Sequence, residues 1–321
     1  MKLPLWPRPS TRAFMREARR TSGYSLFDWL HGYIYARWPY LYIGIGTGEH
    51  PLARRAKPIV ARLDALIRRR GAQHAGAVSA ADGPPVVGFA DTYHGKVVTL
   101  ETATRLVQVD RSVDLGDLEQ VIPYKTARNI VLQNPDHIVV LECPCRSVRE
   151  NPCLPLDVCL VIGEPFASFV MEHHPRRARW ISQTEAVDIL RAEQARGHVS
   201  HAFFKDAMLN RFYAICNCCA CCCGAMNAQR NGTPMLTSSG FVAHVDAGLC
   251  AACGDCADSC QFAAISVDDG YARVDASACM GCGVCVAHCP QEAISLLSDP
   301  AKGEPLEIEK LIARAAESVQ G

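Results

Sequence analysis

Apolar positions in this chain fall into short buried runs and amphipathic stretches, set off by turn residues. Ile138-Val-Val-Leu-Glu142 is a compact apolar run that reads as a buried strand. Arg211-Phe-Tyr-Ala-Ile215 reads as a second one. Ser182-Gln-Thr-Glu185 has the form of a capping box opening a helix, with Gly197 as its stop. His173-His174-Pro175 marks another helix end. Near the C-terminus, Leu306, Ile308, Leu311, Ile312 and Ala315 give a last helix one apolar face. The aromatic run Tyr24–Tyr42 carries Asp28 and Arg37, which interrupt any amphipathic stripe, so it is expected to bury against the rest of the fold. A partner interface or a membrane surface are its other readings. A basic helix is expected over Pro51–Arg70, closed by Gly71, with Gly71–Pro85 as a linker and Asn231–Gly240 as a polar linker. Gly44-Ile-Gly46-Thr-Gly48 lacks dinucleotide-loop spacing and reads as a turn.

These patterns divide the 321 residues into a basic, aromatic-rich region (1–84), a cysteine-rich α/β or α+β domain (85–232), a small α+β domain (240–298) and a C-terminal helix (299–321). Charged residues make up 21% and the net charge is zero, but its sign is segregated. Residues 1–70 hold fourteen Lys/Arg against four Asp/Glu, whereas residues 241–297 hold Arg273 against seven acids. Such asymmetry suits electrostatic docking with a redox partner protein. No nucleic-acid recognition module accompanies the basic region. The longest uncharged stretch there, Trp38–Gly48, is too short to span a bilayer, although peripheral membrane contact stays open. No secretory h-region follows Met1, so a cytoplasmic, reducing and anoxic setting is expected.

Eighteen cysteines change the picture. Cys250-x-x-Cys253-x-x-Cys256-x-x-x-Cys260 repeats as Cys279-x-x-Cys282-x-x-Cys285-x-x-x-Cys289-Pro290, with Gly254/Gly283, Ala264/Ala293 and Ile265/Ile294 in step. Consecutive C-x-x-C steps place three thiolates around one cubane, and the fourth cysteine reaches the other. Cys250, Cys253, Cys256 and Cys289 are therefore expected to hold one [4Fe–4S] cluster, and Cys279, Cys282, Cys285 and Cys260 a second. Paired zinc sites are the competing reading. The segment resembles the bacterial-type two-[4Fe–4S] ferredoxin family over about 57 residues, which implies electron transfer. Gln261 stands where that family's pattern has proline, which puts one cluster's potential, but not its ligation, in question.

Ten more cysteines lie upstream: Cys143, Cys145, Cys153 and Cys159, then Cys216, Cys218, Cys219, Cys221, Cys222 and Cys223. The first four suffice for one further cluster; the second group completes that site or builds another. A helix opening at Cys218 would pair Cys218 with Cys222 and Cys219 with Cys223. If the strands ending before Cys143 and Cys216 are neighbours, both groups face one crevice. Glu142-Cys-Pro-Cys-Arg146 and Ile215-Cys-Asn-Cys-Cys-Ala-Cys-Cys-Cys-Gly224 resemble motifs of a group of anaerobe iron–sulfur proteins that end in a ferredoxin module. That resemblance implies additional Fe–S ligation; structural zinc and a thiol–disulfide relay are the alternatives. Arg146 is read as a donor to a cluster sulfur or anionic substrate, or as a solvated or salt-bridged arginine. His288 is read as an exposed residue or a modulator of its neighbour Cys289. No Walker loop, Ser-His-Asp set, or flavin or nicotinamide fingerprint is present. The function expected is an electron-transfer component of an oxidoreductase system. A small-substrate reductase working at the upstream cysteines, or a redox-sensing regulator, are its rivals.

Overall fold

A computed structural model describes residues 8–51, 53, 92–116, 118–124 and 128–318. Apart from Pro51 and Ala53, the expected basic helix lies outside the described residues, as does the Gly71–Pro85 linker. Three N-terminal helices come first: α1 (Pro9–Arg20), α2 (Leu26–Arg37) and α3 (Pro39–Gly46). They are followed by β1 (Tyr93–Val97), α4 (Leu100–Val107), β2 (Val113–Leu115), β3 (Ile130–Glu142), α5 (Pro144–Ser147), β4 (Asp157–Glu164) and α6 (Phe166–His173). Next are β5 (Ala178–Ile181), α7 (Gln183–Ala195), β6 (Val199–Lys205), β7 (Arg211–Cys218), α8 (Gly224–Arg230) and β8 (Leu236–Thr237). The C-terminal part holds β9 (Phe241–Val245), α9 (Asp255–Asp258), β10 (Ile265–Asp268), β11 (Tyr271–Val274), α10 (Val284–Ala287), β12 (Ile294–Ser298) and α11 (Ile308–Ser318).

Eight strands form one mixed, curled sheet in the order β2-β3-β4-β7-β6-β1-β8, with β5 also pairing β3. All its pairings are antiparallel except β1 with β8. Both faces are covered, which is why β3 and β4 read as continuous apolar runs rather than alternating ones. Ile138, Val140, Leu160 and Ile162 face a core completed by α4 and α7. Val139, Leu141, Cys159 and Val161 face the opposite core, against α1, α2 and α6. Ser182 accepts from the Glu185 N–H at the start of α7, and Gly197 turns the chain at its end with φ +80°. Leu306, Ile308 and Leu311 bury the C-terminal helix on the first core.

The aromatic run does bury against the sheet. Tyr35 and Ala36 are buried, and Phe14 of α1 lies edge-on to Phe166 and Phe169. At Gly32 an added Cβ would stand 1.9 Å from the Ala207 carbonyl oxygen, so this glycine lets α2 touch the chain beneath it. Leu26, Phe27, Leu30 and Ile34 of α2, Leu41 and Ile45 of α3, and Trp38 between the two helices stay exposed.

Three expectations are corrected. Gly44 and Gly46 lie inside α3, and only Thr47–Gly48 turns, because the Pro39 start and the apolar run carry the helix through them. Asn231–Gly240 is not a free linker: β8 adds to the edge of the sheet at β1, and Ser239 Oγ donates to the Gly281 carbonyl. The strands before Cys143 and Cys216 are not neighbours, since β4 lies between β3 and β7. Two successive antiparallel pairings nevertheless make β3 and β7 parallel to each other, so both chains leave the sheet at the same end.

Candidate metal centre

Register builds the upstream site. Leu141 pairs with Cys159, and Cys159 with Cys216, so the inserted β4 delivers a cysteine between the two strand ends. Directly opposed residues of an antiparallel pair put their Cβ atoms about 5 Å apart, close enough for thiols to meet. Cys218 lies two residues after Cys216 and so shares its face. A helix does not open at Cys218, which is the last residue of β7; a turn follows and α8 begins only at Gly224. The pairings expected from a helix, Cys218 with Cys222 and Cys219 with Cys223, are therefore replaced by others.

The ten upstream thiols sort by space and not by sequence. Cys216 meets Cys159, which meets Cys143. Cys143 meets Cys145, Cys145 meets Cys223, and Cys223 meets Cys218. These six line a cavity of about 80 Å³ on the covered face of the sheet, together with Tyr35, Tyr93 and Tyr213, and Cys219 and Cys222 reach its rim. Cys153, Cys219, Cys221 and Cys222 form a tighter group whose four Sγ atoms all lie within 4.8 Å of one another. Cys153 therefore leaves the set with which it is contiguous in sequence.

The C-terminal cysteines line two smaller cavities. Cys250, Cys253, Cys256 and Cys289 share one, and Cys260, Cys279, Cys282 and Cys285 the other. Gly254 and Gly283 adopt φ +91° and +79° just before the short helices α9 and α10, as the tight C-x-x-C loops require. Apart from Gln291 in the first, each cavity is walled by thiols and small or apolar side chains, a soft donor set that fits an iron–sulfur cluster.

Most of these thiols are raised above their ordinary range. Hydrogen bonding with Cys145, together with burial, pushes Cys143 up to about 12, and burial pushes Cys282 and Cys285 up to about 12. Reactive relay thiols sit in electropositive surroundings that lower them. Thiols held up in this way ionise when a cation replaces their protons. Cys222 shifts the other way: burial raises it, but hydrogen bonds from Cys153, Cys219 and Cys221 outweigh that and hold it below the ordinary value.

Arg146 is neither solvated nor aimed at a cysteine. Its Nη2 donates to Glu193 Oε2 at 2.6 Å and to the Asn217 carbonyl at 2.9 Å; its Nη1 donates to the Pro155 carbonyl at 2.6 Å. Asn217 in turn ties β7 to β4 through the Val158 carbonyl. The arginine thus braces α5, which bears Cys145, against the loop at Pro155 and the strand bearing Cys216 and Cys218. His288 is partly buried, with Nδ1 on the Val284 carbonyl and Nε2 on that of Ala195. His173 and His174 bond Thr11 and the Ala36 carbonyl.

Other residues near the site carry no sequence signal. His201 lies opposite Cys216 in the sheet, fully buried, with Nδ1 donating to the Val199 carbonyl and no partner at Nε2. Gln261, the departure from the ferredoxin pattern, accepts the Ala220 N–H at 2.7 Å, inside the Cys219–Cys222 turn. A chain separation of 41 residues hides that contact.

Residues 272–295 match the family described as 4Fe-4S binding domain. No curated protein matches the chain. The matched segment contains Cys279, Cys282, Cys285 and Cys289. With the cysteine-rich region beside it, it makes this an iron–sulfur protein that binds at least one [4Fe–4S] cluster. Among the described residues no helix is long and apolar enough to cross a membrane.

Proposed function

We propose that this chain is an electron-transfer protein with two [4Fe–4S] clusters in its C-terminal module and a further cluster in the six-thiol cavity. Cys250, Cys253, Cys256 and Cys289 would hold the outer cluster. Cys260, Cys279, Cys282 and Cys285 would hold the inner one. When bound, such clusters supply one-electron chemistry at a potential set by hydrogen bonds and solvent exposure.

The observation that carries this reading is the order of the cysteine sets in space. Cys253 is exposed, which turns the outer set toward a partner. Val284, Met280 and Cys282 of the inner set's loop pack on Val97 and Val199 of the sheet. From the inner set, Cys260 leads directly to Gln261, which is bonded to the Cys219–Cys222 turn. These contacts favour a module with one cysteine set toward solvent and the other toward the upstream cysteines. The seven acids of the module are all exposed, which favours docking of a positively charged soluble redox partner.

Anaerobic titration with dithionite followed by EPR tests the proposal. Two mutually coupled [4Fe–4S]⁺ signals and a third, separate signal are expected. An EPR-silent protein without visible bleaching overturns the reading.

A second reading, reduction of a small molecule at the upstream cavity, is favoured by its lining. Tyr35 and Tyr213 hydroxyls meet at 2.7 Å in its wall, and behind that wall the buried Lys205 Nζ, which does not line the cavity, stands 5.0 Å from the rings of both Tyr35 and Tyr93. Catalytic reoxidation of the reduced protein by a small oxyanion such as nitrite or sulfite would decide for it.

A further inference from the structure

We propose that Cys153, Cys219, Cys221 and Cys222 form a mononuclear tetrathiolate site for one soft divalent cation, Zn²⁺ or Fe²⁺, at the rim of the six-thiol cavity, which Cys219 and Cys222 also line. Spacing carries the argument. A single tetrahedral ion with metal–sulfur bonds of about 2.3 Å holds its four sulfurs about 3.8 Å apart. The four Sγ atoms here lie within 4.8 Å of one another, and Cys221 and Cys222 are 3.6 Å apart. A cubane holds each thiolate on a different iron, so the width of the cluster itself stands between them.

The molecule supplies its own comparison. Among the described residues, no three of the eight module cysteines, and no three of the six cavity cysteines, come together as closely as these four do. The sets that suit cubanes are open; this one is closed to the size of a single ion.

Local structure supports that size. Cys219 and Cys222 are the ends of one tight turn, closed by the Cys222 N–H on the Cys219 carbonyl at 3.3 Å. Cys221, between them, faces outward and meets Cys153 from the loop before β4. Four thiolates around a divalent ion carry a net double negative charge, and the loop is bordered by arginines. Arg149 donates to the Cys222 carbonyl at 3.3 Å, and Arg230 donates to the Ala220 carbonyl. Each thiol gives up its proton on binding, so loading releases up to four protons per ion. The site would pin the loop before β4 to the end of β7, and with it the bond from Ala220 to Gln261.

The test compares anaerobically purified full-length protein with a Cys153→Ser/Cys221→Ser variant, measuring metals and acid-labile sulfide in both. The variant is expected to lose about one zinc or iron per chain with sulfide unchanged. Loss of iron together with an equal amount of sulfide would overturn the proposal, because the four cysteines would then belong to a cluster. A native protein two hydrogens lighter, with no metal lost in the variant, would also overturn it in favour of a Cys153–Cys221 disulfide. As a check that needs no substitution, cobalt(II) is added to the unaltered protein after mild chelation. It should give the visible bands of tetrahedral cobalt thiolate without loss of the reduced-cluster EPR signals, and their absence would count against the site. Loss of sulfide from the module alone would bear on the electron-transfer reading and leave this one standing.

Discussion

Replacing Arg146 with methionine should destabilise the cysteine-rich domain by about 3–5 kcal/mol, the usual cost of removing one partner of a buried ion pair. Both side chains of the Arg146–Glu193 pair are 1% exposed, and the contact is 2.6 Å. Methionine fills much of the same volume, so the loss falls mainly on electrostatics. The Glu193 carboxylate would stay buried with His198 at 2.7 Å and the half-exposed Arg196 at 3.1 Å, while the carbonyls of Pro155 and Asn217 would each lose a donor. Those two remaining partners put the expected cost near 3 kcal/mol. Anaerobic urea unfolding measures it: with a slope of about 3 kcal/mol/M, the midpoint falls by about 1 M. The wild type carries a pH signature of the same pair. Burial raises the Glu193 carboxyl, but hydrogen bonds from His198 and Arg146 outweigh it and hold the folded pKa below the ordinary 4.5. The pair's contribution is therefore complete above the unfolded pKa and is lost as pH falls through the folded one. The variant should lack most of that acid-side decline. A Glu193→Gln background should absorb much of the cost, because no buried charge is then left unpaired. A loss below about 1 kcal/mol, with an unchanged acid limb, would refute the bracing role and return Arg146 to the cavity.

Gln261→Pro, which supplies the residue of the ferredoxin pattern, removes the Ala220 contact at a cost of about 1 kcal/mol. It should slow reduction of the upstream centre while leaving the module's EPR signals in place, as freeze-quench EPR would show. His173 is buried at the end of α6, and burial, with Arg8 and Arg37 nearby, lowers it to about 4. Because the unfolded residue takes up a proton at higher pH, the fold should lose stability as pH drops from about 6.5 to about 4. Urea midpoints across that window should fall less steeply for His173→Gln. Reduction by the cationic methyl viologen radical should slow several-fold when ionic strength rises from about 0.05 to 0.5 M, since surface charges are screened beyond a few ångströms at the higher value. Stopped-flow rates check this, and a rate independent of salt would argue against docking on the acidic module.

The C-terminal module was legible because its chemistry is written in local spacing. Each C-x-x-C loop is closed by residues three apart, and Gly254 and Gly283 supply the positive φ that those loops need. Ser182, Glu185 and Gly197 were legible for the same reason, since capping is a short-range event. The upstream cysteines obey a different logic. Their grouping follows from β4 entering between β3 and β7, a choice of sheet order that no local pattern encodes. That insertion sets Cys159 opposite Cys216 and leaves Cys153 on the preceding loop, free to meet Cys221. The helix expected at Cys218 failed because β7 runs on through Cys218, paired there with Val199 of β6. Arg146 and Glu193 are 47 residues apart, so only the folded chain reveals them as a pair.

Acid-labile sulfide and iron, counted together on anaerobically purified protein, test the central claim most directly. Two cubanes in the module and one in the six-thiol cavity predict about twelve sulfides per chain, with iron equal to sulfide or one higher. About eight sulfides would remove the upstream cluster, and zinc in place of iron with no sulfide at all would contradict the account entirely.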